Sequence, residues 1–520
     1  MRVLVADPVA EDGIALLRTT ADVDVATKLS EDELVARVAD ADALVVRSET
    51  KVTARVLDAG RRLQVVGRAG VGVDNIDVDA ATRRGVYVVN APTGNIVAVA
   101  ELTVALMLGL LRGIAPADAH VRAGEWKRSQ FIGREARGKT LGLVGLGRIG
   151  SEVAKRAAAL EMRLLAHDPY ATEAKAQSLG VTLVGLDDLL TQSDVITVHA
   201  PLTPDTRDLI GRDAIARMKR GAFLVNAARG ELVDEAALAD ALAAGRLGGV
   251  ALDVFAQEPP KESPILAAPR TLVTPHIAGS TAEAQVNVAV DVARQVLDVL
   301  AGRPAASAVN APRPPADEAG GARWLLLAER LGALAAQLIA ERPAAVEITY
   351  RGGTQVLEPE ALRAAVMKGA LETWSDERVN LVNALSIARS RGLTVAERRE
   401  ATSTRYPALL EVRLGGTAVG GALVAGEPRI LFIDGFWVDV PIAGHLLLTR
   451  HQDKPGLVGR VGTLLGESDV NISSMQVGRL HARGDALMIL TLDDPVPASV
   501  RDRIAAYPDM NEVRVARLGV

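Results

Sequence analysis

Cysteine is absent from all 520 residues. This removes disulfides, thiolate metal sites and a cysteine nucleophile from consideration. Histidine is scarce at seven copies. Positive charge is not in excess: Lys and Arg number 59 against 64 Asp and Glu, for a net charge of −5. A general nucleic-acid surface would show a basic patch instead. The opening MRVLVADPVAEDG has no apolar core ahead of a small-residue cleavage site, so it does not read as a signal peptide. Long hydrophobic runs are also missing. The nearest, 96–115, carries Glu101 and Gly109 inside it and reads as one buried helix, not a membrane span. The expectation is a cytoplasmic chain with no membrane or nucleic-acid partner, long enough for about three or four domains.

What is present is a rhythm of short β-rich runs and helical patterns. RVLVAD, VDVA, ALVVRS, LQVVGRAG and VYVVNAP alternate with helical stretches over the first ninety or so residues. A second series runs from about Thr140 to Thr274. Such alternation predicts parallel sheets covered by helices, an α/β class. A long amphipathic pattern comes next and stops at Gly302 and Pro304, and VNAPRPPADEAGG (309–321) reads as a linker. Beyond it lie AAVEITYRG, ALLEVRLGG and RILFIDGFWVDV, the last read as a single strand-like segment. From about 444 the order is strand, helix, strand, strand, helix, strand, a small α+β unit.

Gly145, Gly147 and Gly150 have the G-x-G-x-x-G spacing after the strand-like TLGLVGL and before a helical pattern. Such glycines let a pyrophosphate approach the backbone at a helix N-terminus. Asp168 ends the next strand, 18 residues past Gly150. A carboxylate there accepts ribose hydroxyls and repels a 2′-phosphate, so NAD is expected over NADP.

Ligands of open α/β sheets sit outside the carboxyl ends of the strands. Those ends offer His199 and Pro201, then Asn226 and Arg229, then Asp253 with Glu258 beyond it, then His276 in TLVTPHIAGST. Oxidation of a 2-hydroxy acid needs a base for the hydroxyl proton, a carboxylate on the base's other nitrogen, and a guanidinium for the substrate carboxylate. His276, Glu258 and Arg229 supply these types.

GLGRIG with Asp168, VNAARGELVDE, LDVFAQEPP and TPHIAGST together resemble the D-isomer-specific 2-hydroxyacid dehydrogenases over residues 1–302. The resemblance implies His276, Glu258 and Arg229 as the catalytic set. It implies cofactor contacts at Gly145, Gly147, Arg148, Ile149, Gly150, Asp168, His199, Pro201, Ala227, Asp253 and Gly279. It also implies a Rossmann NAD domain (94–281) inserted into a flavodoxin-like substrate domain (1–93 and 282–303). An α+β intervening domain (304–442) and a ferredoxin-type domain (443–520) would come after it. Family members often read His-x-Gly-Ala-Ser, whereas here Ala278 and Gly279 are exchanged; Glu231 and Val71 are further departures.

The segment from 446 to 479 resembles an ACT domain, a sensor that usually binds amino acids. A dehydrogenase carrying an intervening and an ACT domain resembles the branch of the family acting on 3-phosphoglycerate, with L-serine as effector. Arg47, Val71, Gly72, Asn95 and Arg128 are the expected substrate contacts, Arg128 being the candidate for a neighbouring subunit's site. Arg68, Lys51 and Lys127 are further cations nearby in sequence. His451, Asp453 and Asn471 are the expected effector contacts. No site is expected in the intervening segment, and no metal anywhere. The assembly implied is a homo-oligomer, a tetramer. Two other readings are a glyoxylate or hydroxypyruvate reductase, which would lack the tail, and an NAD-sensing corepressor-like protein, which would carry a disordered tail.

Overall fold

The computed structural model describes residues 1–313, 320–375, 377–402 and 405–519. Two parallel sheets form the first half. Strands Arg2–Val5, Asp22–Val25, Ala43–Val46, Val65–Arg68 and Tyr87–Asn90 lie in the spatial order 2-1-3-4-5, the flavodoxin-like arrangement. Ala43–Val46 is buried throughout, as a strand covered by helices on both faces must be. The second sheet has seven parallel strands: Thr140–Val144, Arg163–His167, Val181–Leu183, Val195–Val198, Phe223–Asn226, Gly249–Leu252 and Thr271–Val273. Their order, 3-2-1-4-5-6-7, is that of a doubly wound dinucleotide fold. The short Val181–Leu183 edge strand carries too few apolar residues to stand out in sequence.

The apolar run 96–115 is not one helix. It breaks into Ile96–Arg112 and Ile114–Arg122, bent by 64°. Gly113 sits between them at φ 61°, a left-handed conformation that ends the first helix. Among the described residues no single helix is long and apolar enough to cross a membrane.

Helix Ala282–Leu300 returns to the first sheet and buries Val288, Val292, Val296 and Val299 there. A Cβ at Gly67 would lie 2.6 Å from Val292, so the close approach requires glycine. The contacts of the first domain continue past its expected end at 303. Val309 N–H donates to Val88 O at 2.7 Å, and the Asn310 side chain bonds Val88 N–H and Val86 O. Residues 305–310 therefore extend the first domain's sheet at the strand Tyr87–Asn90, which corrects that boundary. Of the expected linker, 314–319 lie outside the described residues.

In the second half, helices Gly321–Gln337 and Pro359–Trp374 cover a six-stranded mixed sheet. RILFIDGFWVDV is a hairpin, not a single strand. Glu427–Ile433 and Phe436–Pro441 are joined through Asp434 (φ 46°) and Gly435 (φ 93°), a two-residue turn that needs positive φ at both positions. The terminal unit has strands Gly444–Gln452, Ile472–Arg479, Asp485–Leu492 and Met510–Leu518 in antiparallel order 2-3-1-4. Its Leu446, Leu448, Leu487 and Ile489 join the core containing Leu431 and Ile433. The division at 443 thus falls within one continuous apolar core.

Helices Gly321–Gln337 and Pro359–Trp374 cross at glycines. A Cβ at Gly369 would lie 1.9 Å from Glu329 O, and one at Gly332 would lie 2.1 Å from Val366 O. Gly369→Ala should destabilise this half by about 1–3 kcal/mol, the usual cost of overpacking. Calorimetry should show its transition lowered while NAD affinity of the first half is retained.

Candidate active site

Buried polar side chains at strand ends fix the cleft loops. Asp253 comes directly after strand Gly249–Leu252 and is 0% exposed. Its carboxylate accepts from Ile277 N–H (2.9 Å), Ala278 N–H (2.8 Å) and Thr274 Oγ1 (2.6 Å), and its carbonyl accepts from His276 N–H (2.8 Å). This network holds His276 at φ 54°, a conformation that costs a non-glycine residue about 1–3 kcal/mol. Asp253, expected at the cofactor, thus spends both oxygens on the histidine turn. His276 Nδ1 donates to Glu258 Oε2 at 2.7 Å. A carboxylate oxygen accepts, so Nδ1 carries a hydrogen, and in the neutral ring it is Nε2 that holds the lone pair. His276 is exposed in the cleft.

Asn226, also 0% exposed, holds the arginine turn. It donates to Arg229 O at 2.7 Å and accepts from Ala228 N–H at 3.0 Å. Arg229 is half-buried and pairs with the exposed Asp74 at 3.3 Å. A Cβ at Gly72 would lie 2.2 Å from its Nη2, so Gly72 makes room for the guanidinium. Asn90 donates to Val71 O at 2.5 Å, which fixes the same loop.

Arg47 is held by a third such anchor. Asp7, 1% exposed, accepts from Arg47 N–H at 2.6 Å and from Thr50 N–H and Oγ1 at 3.2 and 2.5 Å. Arg68 belongs with it. Its Nε is buried without a partner. Burial, then the charges of Arg229 and Arg47, pull its guanidinium down to about 10. Arg68 thus lies within electrostatic reach of both Arg47 and Arg229. In sequence Arg68 was one cation among several, and only its position before the Gly70–Gly72 turn marks it out.

The glycine loop fits a dinucleotide. Gly145 has φ 99°, and its Cβ would meet His199 O at 2.6 Å. A Cβ at Gly150 would lie 2.2 Å from Gly145 O, while nothing lies within 4 Å of one at Gly147. The loop is thus tight beneath and open above. Asp168 accepts from Leu146 N–H (2.8 Å) and Tyr170 N–H (2.9 Å), which fixes its carboxylate beside the loop. Lys175 donates to Leu146 O at 2.6 Å, bringing a cation to this corner that its sequence distance from Asp168 had hidden. Ala227 and Ala278 are buried in one cluster with Val99, against Ile149. That contact explains the exchanged pair: the Ala278 methyl is packed, and a Cβ at Gly279 would lie 2.7 Å from Asn95 Nδ2. Asn95 Oδ1 is buried without a partner. Arg148 and Pro201 are exposed. Arg128 is exposed on the short turn Arg128–Gln130, with no hydrogen bond or ion pair joining it to the cleft residues.

The effector residues are not gathered. His451 is 2% exposed, its ring held against Thr449, so the expectation that it faces a ligand is corrected. Asp453 accepts from Arg479 at 3.1 Å and from Arg483 N–H at 3.2 Å. Asn471 is exposed and donates to Asp493 at 2.5 Å. In the sheet register Asp453 lies beyond the Asp485 end and Asn471 beyond the Leu492 end, roughly 30 Å apart at about 3.4 Å per residue. One chain cannot bring both to one amino acid.

A doubly wound sheet, a glycine loop with an acid on the next strand, and a His–Glu pair and an arginine at neighbouring strand ends define a nicotinamide-dependent dehydrogenase of small anionic substrates. The comparisons agree. Residues 104–278 match the D-isomer specific 2-hydroxyacid dehydrogenase NAD binding domain. Residues 322–434 match the D-3-phosphoglycerate dehydrogenase intervening domain, and 445–509 match an ACT domain. A D-3-phosphoglycerate dehydrogenase of Synechocystis sp. is 46% identical, covering 99% of this chain and 95% of its own. One from Archaeoglobus fulgidus is 44% identical over 97% of each. A crystal structure of a Thermus thermophilus protein superposes with TM-score 0.55 at 38% identity, covering 59% of this chain and 100% of that one. The chain belongs to the D-3-phosphoglycerate dehydrogenase family.

His199 lies just past strand Val195–Val198 with its Nε2 2.9 Å from Thr197 Oγ1. Burial lowers its imidazole from 6.5 to about 4, so it is neutral where the unfolded chain is protonated. Its contribution to stability is complete above pH 6.5 and is lost as pH falls toward 4. His199→Gln should flatten that part of the stability profile, as read from melting midpoints of parent and variant between these pH values.

Proposed function

We propose that the chain oxidises D-3-phosphoglycerate to 3-phosphohydroxypyruvate with NAD, the opening step of a phosphorylated route to L-serine. The observation that carries this reading is the His276–Glu258 pair at 2.7 Å, together with Arg47 and Arg229 close enough to Arg68 to perturb it. A lone carboxylate needs one guanidinium; a phosphorylated hydroxy acid needs more. A reductase of unphosphorylated keto acids would have no use for the extra cations or the ordered tail.

In this reading Arg229 exchanges Asp74 for the substrate carboxylate, and Arg47 with Arg68 takes the phosphate. Asn95 Oδ1 offers an acceptor to a substrate donor at the same cleft. His276 Nε2 takes the hydroxyl proton as the C–H bond breaks, and Glu258 stabilises the imidazolium. Bound NAD supplies the hydride acceptor, cradled by Gly145–Gly150 with its adenosine ribose at Asp168. His276→Asn should lose about 10²–10⁴ in kcat while NAD binding stays intact, as measured by steady-state kinetics beside cofactor titration. Near-parental turnover would remove His276 from the mechanism.

Asp168→Ala should weaken NAD by about 1.5–3 kcal/mol, the value of charge-assisted hydrogen bonds, and narrow the margin over NADP. Calorimetry with both cofactors reads the difference. Tight NADP binding by the parent would contradict the assignment.

The ACT unit makes an amino-acid effector the natural regulator, and L-serine is the end product whose chemistry fits. The opposite placement of Asp453 and Asn471 requires that such a site join two copies of the chain. Coupling then means that serine binds one arrangement of copies better than another. L-serine should lower activity, and Asp453→Ala and Asn471→Ala should each relieve the inhibition. No heat on titration and flat activity to millimolar serine would make the unit an assembly module.

A further inference from the structure

Glu258 sits on a loop with little burial of its own. Phe255 before it and Ile265 after it are buried in one apolar core with Leu238 of the helix Glu235–Ala243. Between them, residues 256–263 are exposed except for Pro260 and Ser263, which are half-buried. Within the loop, Phe255 N–H donates to Glu258 Oε1 at 3.2 Å, which ties the carboxylate to the near end alone.

One side chain from outside ties both ends. Glu235 Oε1 accepts from Ala256 N–H at 2.7 Å, and its Oε2 accepts from the Ser263 hydroxyl. These two donors flank Glu258 in the chain. Glu235 is not needed to start its own helix, because the N-cap Asp234 accepts from Ala237 N–H at 2.9 Å. Both of its oxygens are thus spent on the loop. The turn before that helix is also close to the loop: a Cβ at Gly230 would lie 1.9 Å from the Phe255 carbonyl carbon.

We infer that Glu235 is a positioning residue, a clasp that sets this loop so that Glu258 meets His276 Nδ1. It makes no hydrogen bond to either of them and acts through Ala256 and Ser263. The His276 and Glu258 side chains are both partly exposed, and Glu258 is the one ion-pair partner of His276 among the described residues. An exposed pair is weak unless its geometry is held. With the clasp open, Glu258 supports the imidazolium less well and the ring loses its orientation toward the reacting hydroxyl. The inference rests on reading His276 as the base and Glu258 as its partner.

The test uses the full chain with Glu235→Ala, Glu235→Gln, Ser263→Ala, Glu258→Gln and the double variant Glu235→Ala with Glu258→Gln. Steady-state kinetics of the oxidation are read across pH. Glu235→Ala should lower kcat by about ten- to a hundredfold, the cost of a small misplacement, with KM for NAD unchanged. The base must be neutral to accept the proton, so a less supported imidazolium moves the acid limb of kcat/KM to lower pH. Glu235→Gln should recover most of the loss, since its amide oxygen accepts from Ala256 and its NH₂ donates to the Ser263 oxygen. Ser263→Ala should give a smaller shift of the same sign, and it carries the test if Glu235→Ala does not fold. On top of Glu258→Gln, Glu235→Ala should move the limb no further. A parental kcat and acid limb in Glu235→Ala, or in Ser263→Ala where that variant replaces it, overturns the clasp. An undiminished further shift in the double variant also overturns it, because Glu235 would then act by another route. A Glu258→Gln limb that stays in place defeats the His276–Glu258 reading and the clasp with it; a limb that moves there but not in Glu235→Ala defeats the clasp alone.

Discussion

The cleft depends on one repeated interaction: a buried Asp or Asn at the end of a strand, bonded to the backbone of a neighbouring loop. Asp7 does this for the Arg47 loop, Asn226 for Arg229, and Asp253 for His276. The first two are 1% and 0% exposed, and Asp253 is 0%. A carboxylate taken this far from water must be fully hydrogen-bonded or it unfolds its surroundings. That requirement makes the clamp rigid. The loop cannot relax without stranding the buried group, so each functional side chain starts from a fixed backbone. His276 shows the strength of the arrangement, because its left-handed φ is tolerated only while Asp253 holds the turn.

Rigid loops allow like charges to be brought together. Burial, then the nearby Arg229 and Arg47, disfavours the charged form of Arg68. Left alone this is unfavourable; an anionic ligand reverses the sign. The exposed Asp74 beside Arg229 provides partial relief from outside the cleft, where it is readily displaced.

Much of this was legible in the sequence, and the parts that were not share a cause. Motif spacing located Gly145, Gly147, Gly150, Asp168, Arg229, Glu258 and His276, because each stands at a strand end or in a loop of fixed length. Spacing could not reveal which groups are already engaged. Asp253 occupies a strand end like the others, yet its oxygens face inward. His451 alternates onto the inner face of its strand, a period-two fact that one shifted residue would reverse. The break at Gly113 and the hairpin at Asp434–Gly435 were hidden by the apolar residues on either side of them. The joining of 305–310 to the first sheet depends on Asn310 finding Val86 and Val88, more than two hundred residues earlier in the chain.

That last contact bears on how the two halves communicate. The strand Tyr87–Asn90 is gripped along its edge by Val309 and Asn310. Just before it, Gly85 O accepts from Asn380 of the intervening domain at 2.7 Å, and Leu63 O accepts from Arg378 at 2.9 Å. At its far end Asn90 holds Val71, beside the Gly72 that makes room for Arg229. A β-strand is stiff along its axis, and here its entrance touches one half while its exit positions the substrate loop. A two-state change in the second half would therefore have a short mechanical route to the arginines, through a strand and without passing through the dinucleotide fold. The dinucleotide lobe meets the segment 305–313 separately, at a cavity lined by Arg148 and Arg313. Residues 305–309 of that cavity belong to the first domain's sheet, so the second half reaches the catalytic half through Arg378 and Asn380, on the substrate side.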